Sequence, residues 1–438
     1  MMQLKDKEKL KNMLGELNKI VIYRNIINHS LIKRVIKILH GLLKEKPSTE
    51  IIYSEYSSFY KDITEYAFKK GIHKNVLRSF LSEEIAYDEN PFSRISEKYG
   101  FDAVSDLMIE VVEKEIGILR EFSYINIAET ANNLLKTELP DFEKYANNIF
   151  FKEIDNNKLP LEKLWELKKG EIAGYLANYY HLNGCGIFGR YRAFRWVIEN
   201  GLRQLKGIEN VDPITFDDLI GYEEERKIVI ENTQAFLKNF SANNVLLYGD
   251  KGTGKSSTIK ALLNKFYREG LRIIEINKND IKDLPYIIDL IKDRGVKFIL
   301  FFDDLSFDES EVNYKELKSA LEGGVGVLPP NVIIYATSNR RHIITENIND
   351  NELHNTDARE EKLSLSDRFG ITVTFVSPSQ EEYLKIVKGL AEKHNIEIEW
   401  NLLKEKALKW AIWHNGKSPR SAKQFIDNLR YEVYKNIV

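Results

Sequence analysis

Gly249, Gly254, Lys255 and Ser256 stand at the spacing G-x-x-x-x-G-K-S inside the stretch NNVLLYGDKGTGKSSTIKALLNKF. Those residue types at that spacing make a phosphate cradle. Consecutive backbone N–H groups wrap the phosphates, so side chains must be absent where the turn is tight, which accounts for glycine at 249, 252 and 254. The cradle expected to touch the ligand is Gly249, Asp250, Lys251, Gly252, Thr253, Gly254, Lys255, Ser256 and Ser257. Lys255 is placed to reach the β- and γ-phosphates and the Ser256 hydroxyl to ligate Mg²⁺, so the first ligand is a nucleoside triphosphate with Mg²⁺. A glycine-rich turn before an ordinary helix is the plainer reading. The context argues against it: an apolar strand runs in, and the helix that follows has Ile259, Leu262, Leu263 and Phe266 on one face and Gly270 just past its end.

A second required piece follows the apolar run Phe298 to Phe302, which ends in Asp303-Asp304. An acid at the C-terminal end of a strand beside such a loop can hold Mg²⁺ through water, and the next acid can polarise an attacking water. Asp303 is assigned to the metal and Asp304 to the water. Either acid alone could cap a turn, but the distance downstream of the glycine-rich loop and the apolar run before the pair argue against that reading.

The elements that must position these groups alternate. Strands are expected at 245–248, 272–276, 297–302, 331–336 and 371–375, with helices between them. Near-continuous apolar strands such as FILFF are what a parallel sheet covered on both faces requires. After Phe375 the pattern is helical over 379–394, 399–414 and 418 to the end, and Ser379-Gln380-Glu381-Glu382 reads as a capping box. Ser418 can cap the last of these with Pro419 at its first position, which aims Arg420 from the first turn. Gly370 is expected to end a helix carrying Arg368, leaving that arginine at an exposed rim.

Upstream, residues 1–135 and 140–205 carry apolar residues at helical spacing, among them Ile26, Ile27, Leu31, Ile32, Val35, Ile36 and Leu39. Leu107, Val111, Val112 and Leu119 continue that pattern, with Glu115 as a polar slip. Breaks are predicted at Lys46-Pro47-Ser48 and Asn90-Pro91-Phe92. Gly184-Cys185-Gly186-Ile187-Phe188-Gly189 matches G-x-G-x-x-G formally, but the residues before it look helical where a dinucleotide fingerprint needs a strand. These glycines are read as a turn between two helices. Arg190, Arg192 and Arg195 then interleave with Tyr191, Phe194 and Trp196. Basic residues among aromatics can bind nucleic acid; the favoured alternative is an amphipathic helix with Phe194 and Trp196 flanking a core. The domains expected are a helical N-terminal region (1–210), an α/β nucleotide-binding domain (211–377) and a helical lid (378–438).

The downstream half resembles the AAA+ superfamily of P-loop ATPases, motif by motif. Phe216 to Gly221 (FDDLIG) resembles the lead-in that contacts the base, and Gly249 to Ser256 and FILFFDD resemble Walker A and Walker B. The resemblance implies that Asn339, in IYATSNRR, is the sensor-1 residue helping to place the water. It further implies that Arg368, in SLSDRFG, is an arginine finger offered to a neighbouring subunit, and that Arg420, in GKSPRSAKQF, is the sensor-2 arginine of the lid. Asn277 is a candidate partner for the catalytic acid. Asp304 stands where many AAA+ motors have Glu; its shorter reach implies slow hydrolysis, and Asp-Asp is similar to the replication-initiator and helicase-loader branch. NKNDIKDLP lacks the aromatic-glycine pore loop of protein-threading members. The string FFDDLSFDE, with RIIEINKNDIKDLP and ATSNRRHII, resembles a bacterial family of predicted AAA+ ATPases of unknown role.

The fold implied is an α/β P-loop NTPase with a five-stranded parallel sheet, a C-terminal helical lid and an all-α N-terminal region. The function implied is ATP binding and slow ATP hydrolysis coupled to assembly or remodelling of a macromolecular partner. A nucleotide-gated switch with little hydrolysis and a DNA-associated loader stand as alternatives. The partners expected are further copies of the chain and a protein bound by the N-terminal helices, with DNA open and no membrane. Bulk composition fits: 438 residues suit several domains, and 43% hydrophobic and 30% charged residues with a net charge of -2 do not advertise nucleic acid. One cysteine, Cys185, excludes an internal disulfide and suits a reducing cytoplasm. The longest apolar runs stop far short of the ~20 residues of a membrane span, and MMQLKDKEKLKNML is too charged for a signal peptide. Guanine nucleotide is disfavoured, because the string NKND directly follows the second strand rather than a late one.

Overall fold

A computed structural model describes residues 2–72, 74–141, 160–308, 316–317, 321, 328–339, 344–345, 368–414 and 416–437. The chain divides into two compact units, Met1–Arg190 and Tyr191–Val438. In the first, the described residues are helical: α1 (Met2–Leu17), α2 (Arg24–Asn28), α3 (Ser30–Leu43), α4 (Thr49–Lys70), α5 (Val76–Tyr87), α6 (Pro91–Tyr99), α7 (Asp106–Ser123), α8 (Ile127–Leu135), α9 (Ile172–Asn183) and α10 (Gly186–Arg190). Residues 142–159, part of the second helical block expected from the sequence, lie outside the described residues. Both predicted breaks are present. Pro47 falls between α3 and α4, and Asn90 caps α6 through a reciprocal pair with Ser93, with Pro91 in the first turn. Gly71, at φ 67°, stops α4 in the left-handed conformation.

The core of this unit takes the apolar stripe read from the sequence: Ile26, Ile27, Leu31, Ile32, Val35 and Leu39 are buried. The exceptions lie on α7. Leu107 is exposed, while Glu115, the polar slip, is only 3% exposed. Its carboxylate accepts the backbone N–H groups of Val21 and Ile22 on Oε1 (2.7 and 3.1 Å) and of Tyr23 on Oε2 (3.0 Å). Those amides sit in the turn before α2, where no helix bonds them, so one side chain meets three obligatory donors. Glu113 does the same for the entry to α9, accepting from Gly170 and Ala173, and Glu97 for Cys185. Three buried glutamates thus tie loops to helices across this unit. Replacing Glu115 with Ala strands three amide donors, and the expected cost is about 4 kcal/mol. Glu115→Gln, which keeps one acceptor oxygen, is expected to lose about half as much. Urea unfolding of the whole chain measures both; an Ala variant as stable as wild type refutes this account.

The second unit opens with strands where the sequence suggested a helix. Residues 193–205, expected to be helical, form the hairpin β1 (Ala193–Glu199) and β2 (Leu202–Gly207). The turn is Asn200-Gly201, both at positive φ (52° and 77°), the strongest short-range hairpin signal. Phe194 and Trp196 are both buried with Arg195 exposed between them, which is a period of two and excludes a helix. β1 also pairs in parallel with the strand Leu271–Glu275, so the sheet unit begins at Tyr191 and not at residue 211.

The elements of the main sheet and the helices around it are α11 (Glu223–Leu237), β3 (Val245–Gly249), α12 (Lys255–Phe266), β4 (Leu271–Glu275), α13 (Leu284–Ile291), β5 (Lys297–Phe302), β6 (Val332–Ser338), β7 (Ile371–Phe375), α14 (Gln380–Lys393), α15 (Trp400–Trp413) and α16 (Pro419–Ile437). The sheet has seven strands in the order β2-β1-β4-β5-β6-β3-β7, parallel except for the β1/β2 pair. The five predicted strands are therefore joined by two more. β5 and β6 are buried at every position, as a sheet covered on both faces requires. One of its faces packs Val245, Leu247, Ile299, Ile333 and Tyr335 against Val229, Ile259, Leu262 and Phe266 of α11 and α12. The last three helices have their own core, centred on Tyr383, Val387, Ala407, Phe425 and Ile426. Ser379 caps α14 with the reciprocal Glu382 bonds. Among the described residues no helix is long and apolar enough to cross a membrane.

Candidate functional site

All parallel strands end on one edge of the sheet, and the chemistry gathers there. Gly249 closes β3 at φ 137°, and a Cβ on it would stand 2.0 Å from the Phe375 carbonyl oxygen at the end of the paired β7. Glycine is therefore required by contact as well as by conformation. Gly252 and Gly254 also take positive φ, 80° and 98°. The loop they shape hands its backbone to the first turn of α12, the arrangement that binds anions.

Lys255 is only 7% exposed, and its ammonium is held by the carbonyl oxygens of Gly249 and Asp250 (2.8 Å each) and by Asn339 Oδ1 (3.1 Å). Burial pulls its pKa down, and the neighbouring Asp250, Asp304 and Asp303 pull it back up. Ser256 donates its hydroxyl to Asp303 Oδ1 at 2.6 Å. Two hard oxygen donors side by side at the start of α12 suit Mg²⁺. Asn339, at the end of β6, bridges the site: Oδ1 accepts from Lys255 and Nδ2 donates to Asp304 Oδ1. Lys255, Ser256, Asp303, Asp304 and Asn339 are thus brought together through hydrogen bonds. Asn339, not Asn277, holds the Asp304 carboxylate.

Thr337 is a site residue that the motifs do not single out. Its hydroxyl donates to Asp303 Oδ1 (2.6 Å) and accepts the Asp304 backbone N–H (2.9 Å), fixing both acids while Asp304 takes the left-handed backbone at φ 53°. Its one signal in the sequence is a hydroxyl residue in the apolar strand IIYATS, two positions before Asn339. Arg226 is the second such residue. Buried on α11, it donates to the carbonyls of Leu219 and Gly221 and so holds the lead-in segment; burial lowers its pKa to about 10. The lead-in is also gripped by the lid. Lys393 of α14 donates to the Asp217 carbonyl (2.9 Å) and to the Asp218 carboxylate, a hydrogen bond that lowers the Asp218 pKa to about 2. Ile220 packs within the lid core.

Arg420 starts α16, capped by Ser418, whose Oγ accepts from the Ser421 N–H at 3.1 Å. Its backbone N–H donates to the Gly252 carbonyl (3.1 Å), which sets the lid arginine against the loop. Its guanidinium charge is felt at Lys255. Arg368 is not at this site. It precedes β7, whose register sets Ile371 opposite Val245 and Phe375 opposite Gly249, so Arg368 lies at the other end of the strand from the cradle. The helix expected to carry it includes residues 364–367, which lie outside the described residues, as do 340–343 of ATSNRRHII and 309, the end of FFDDLSFDE. The arginine–aromatic cluster is structural: Trp196 Nε1 donates to Asp283, Arg195 pairs with Glu275 and Arg190 with Glu84.

A central parallel sheet of order β4-β5-β6-β3-β7, with the cradle, the paired acids and Asn339 on adjacent strand ends and a helical lid, defines an AAA+ P-loop nucleotide-binding protein. The chain belongs to the family described as "Protein of unknown function (DUF815)", whose profile matches residues 189–433. It is similar to the Replication factor C large subunit of Nanoarchaeum equitans, 27% identical over 197 residues, 45% of this chain and 42% of that protein. Human Replication factor C subunit 5 is 28% identical over 126 residues, 27% of this chain and 36% of that one. The Holliday junction branch migration complex subunit RuvB of Mycoplasmopsis pulmonis is 22% identical over 218 residues, 49% of this chain and 64% of that one. The chain spans less than half the length of the first two. Among solved structures, Thermotoga maritima RuvB, the Holliday junction branch migration motor, superposes with a TM-score of 0.36 at 20% identity over 51% of this chain and 67% of that one.

If Thr337 sets the acids, Thr337→Val should weaken Mg²⁺-dependent binding of a fluorescent nucleotide about tenfold and lower stability by only about 1–2 kcal/mol. A Mg²⁺ titration that matches wild type would dismiss the role.

Proposed function

We propose that the chain binds ATP with Mg²⁺, hydrolyses it slowly, and couples nucleotide state to the assembly or remodelling of a macromolecular partner. The observation that carries this is the convergence of Lys255, Ser256, Asp303, Asp304 and Asn339, linked by direct hydrogen bonds, at the mouth of a glycine-shaped loop. Lys255 leaves its carbonyl partners to meet the β- and γ-phosphates. Ser256 and Asp303 would hold Mg²⁺, which when bound neutralises charge on the phosphate oxygens. Asp304 accepts the proton of the attacking water, and Asn339 keeps that carboxylate oriented. The carboxylate of Asp304 is a methylene shorter than glutamate, which supports slow turnover.

Arg420 serves the γ-phosphate from the lid. Arg368, at the far end of β7 from its own cradle, suits a neighbouring subunit's nucleotide better, so the working form is a homo-oligomer. The helical unit Met1–Arg190 recognises the partner. A nucleotide-gated switch with little hydrolysis is the second reading, and the aspartate at 304 favours it. The names of the relatives make DNA the first partner class to test, although the Arg190–Trp196 cluster no longer supports it, since its side chains are engaged within the fold.

Lys255→Ala should weaken ATP binding more than tenfold, while Asp304→Asn should retain binding and lose at least about 100-fold in turnover. Steady-state turnover and equilibrium binding of the purified chain measure the pair. Retained ATP binding without Mg²⁺-dependent turnover in any assembly state would leave the switch; absence of binding would reject both readings.

A further inference from the structure

Asp250 occupies the second position of the cradle, yet its side chain is committed elsewhere. Oδ2 accepts both the backbone N–H (2.8 Å) and the hydroxyl (2.6 Å) of Ser377, in the linker 376–379 that leads from β7 into the lid. The same residue's carbonyl oxygen accepts from the Lys255 ammonium (2.8 Å) and the Thr253 hydroxyl (2.8 Å), and its N–H donates to the Phe375 carbonyl (3.0 Å). Through its carbonyl Asp250 is tied to the phosphate-binding lysine, and through its carboxylate to the root of the lid. The linker is short and stiff: Pro378 follows Ser377, and the Val376 carbonyl is held by the Tyr222 hydroxyl at 2.6 Å. The Arg420–Gly252 bond, by contrast, meets the lid at its last helix, not at its hinge.

From this geometry we infer that Asp250 is a positioning residue that couples Lys255 to the lid. When Lys255 moves from the Asp250 carbonyl to a phosphate, the bond that fixes Asp250 on one side is released. The Ser377 linker, hung on the other side by a carboxylate acceptor, shifts with it. The inference rests on the nucleotide reading above for its physiological trigger, while the bonds that carry the coupling lie within the chain itself. Asp250 needs no contact with the substrate to act. Its charge-assisted bonds to Ser377 are of the stronger kind, and a residue bonded to both sides of a hinge transmits displacement without a separate messenger.

The test is a mutant cycle read by amide exchange of residues 376–379 in the full-length, nucleotide-free protein. Asp250→Ala should speed exchange of the Ser377 amide about tenfold, and Asp250→Asn, which keeps an acceptor oxygen, less than about threefold. Lys255→Ala alone should speed it several-fold, and should add nothing in the Asp250→Ala background. Asp250→Ser, too short to reach Ser377, provides a second loss variant should the alanine protein misfold. With ATP at a concentration that saturates each protein, spin labels at Glu231→Cys and Lys404→Cys on exposed faces of α11 and α15 should report a change of distance in the wild-type background and none with Asp250→Ala. Exchange in the Asp250 variants equal to wild type, or a Lys255→Ala effect that persists in full without Asp250, overturns the inference. So does a more than tenfold loss of ATP affinity with the lid response intact, which would make Asp250 a cradle residue. A wild-type chain that takes up no ATP overturns the nucleotide reading instead, and the exchange cycle still decides the coupling.

Discussion

A buried ammonium must be surrounded by oxygen or it loses its charge, and the second unit is built around that requirement at Lys255. Two carbonyls of the loop and the amide oxygen of Asn339 supply it, with three aspartates close enough to favour the charged form. The arrangement demands that β3 and β6 be neighbours and in register, since Lys255 follows one strand and Asn339 ends the other. It demands as well that β7 run so close that Gly249 can carry no side chain. The sheet order is thus the solution to a local electrostatic problem. Its long apolar strands supply the burial that makes the problem severe.

From that point the site extends outward through shared atoms rather than separate contacts. Asn339 links Lys255 to Asp304, and Thr337 links Asp304 to Asp303, which in turn takes the Ser256 hydroxyl. Each acid is oriented by hydrogen bonds from the protein itself, which is the form of pre-organisation that electrostatic catalysis uses. On the other side, the lead-in segment is held by Arg226 from below and by Lys393 and the lid core from above. The lid is therefore attached to the cradle, to its linker and to the lead-in.

Much of this is legible in residues. G-x-x-x-x-G-K-S after an apolar strand, FILFF before two aspartates, and Ser379 with Glu382 each carry their own local physics, and each stands where it is expected. The hairpin 193–207 is announced by Asn200-Gly201, yet the pattern around it misleads. The arginines between the aromatics suggest a surface helix, but their partners, Glu275 and Glu84, come from distant parts of the chain. Glu115 looks like an interruption of a helix stripe for a similar reason: its three amide partners lie more than ninety positions upstream.

The sequence by itself determined which residues could bind a triphosphate, because a phosphate cradle is local: its glycines, lysine and serine lie within eight positions, and chain connectivity places them. It determined the class of fold, because apolar runs too long to be half-exposed need helices on both sides. Only the tertiary structure decided what those groups touch. Thr337 reaches across from a neighbouring strand, Arg226 grips a segment from beneath, and Asp250 turns from the cradle to Ser377, 127 positions away. Such pairings depend on strand order and register, which set distances between residues remote in the chain, and no periodicity in one segment carries that information.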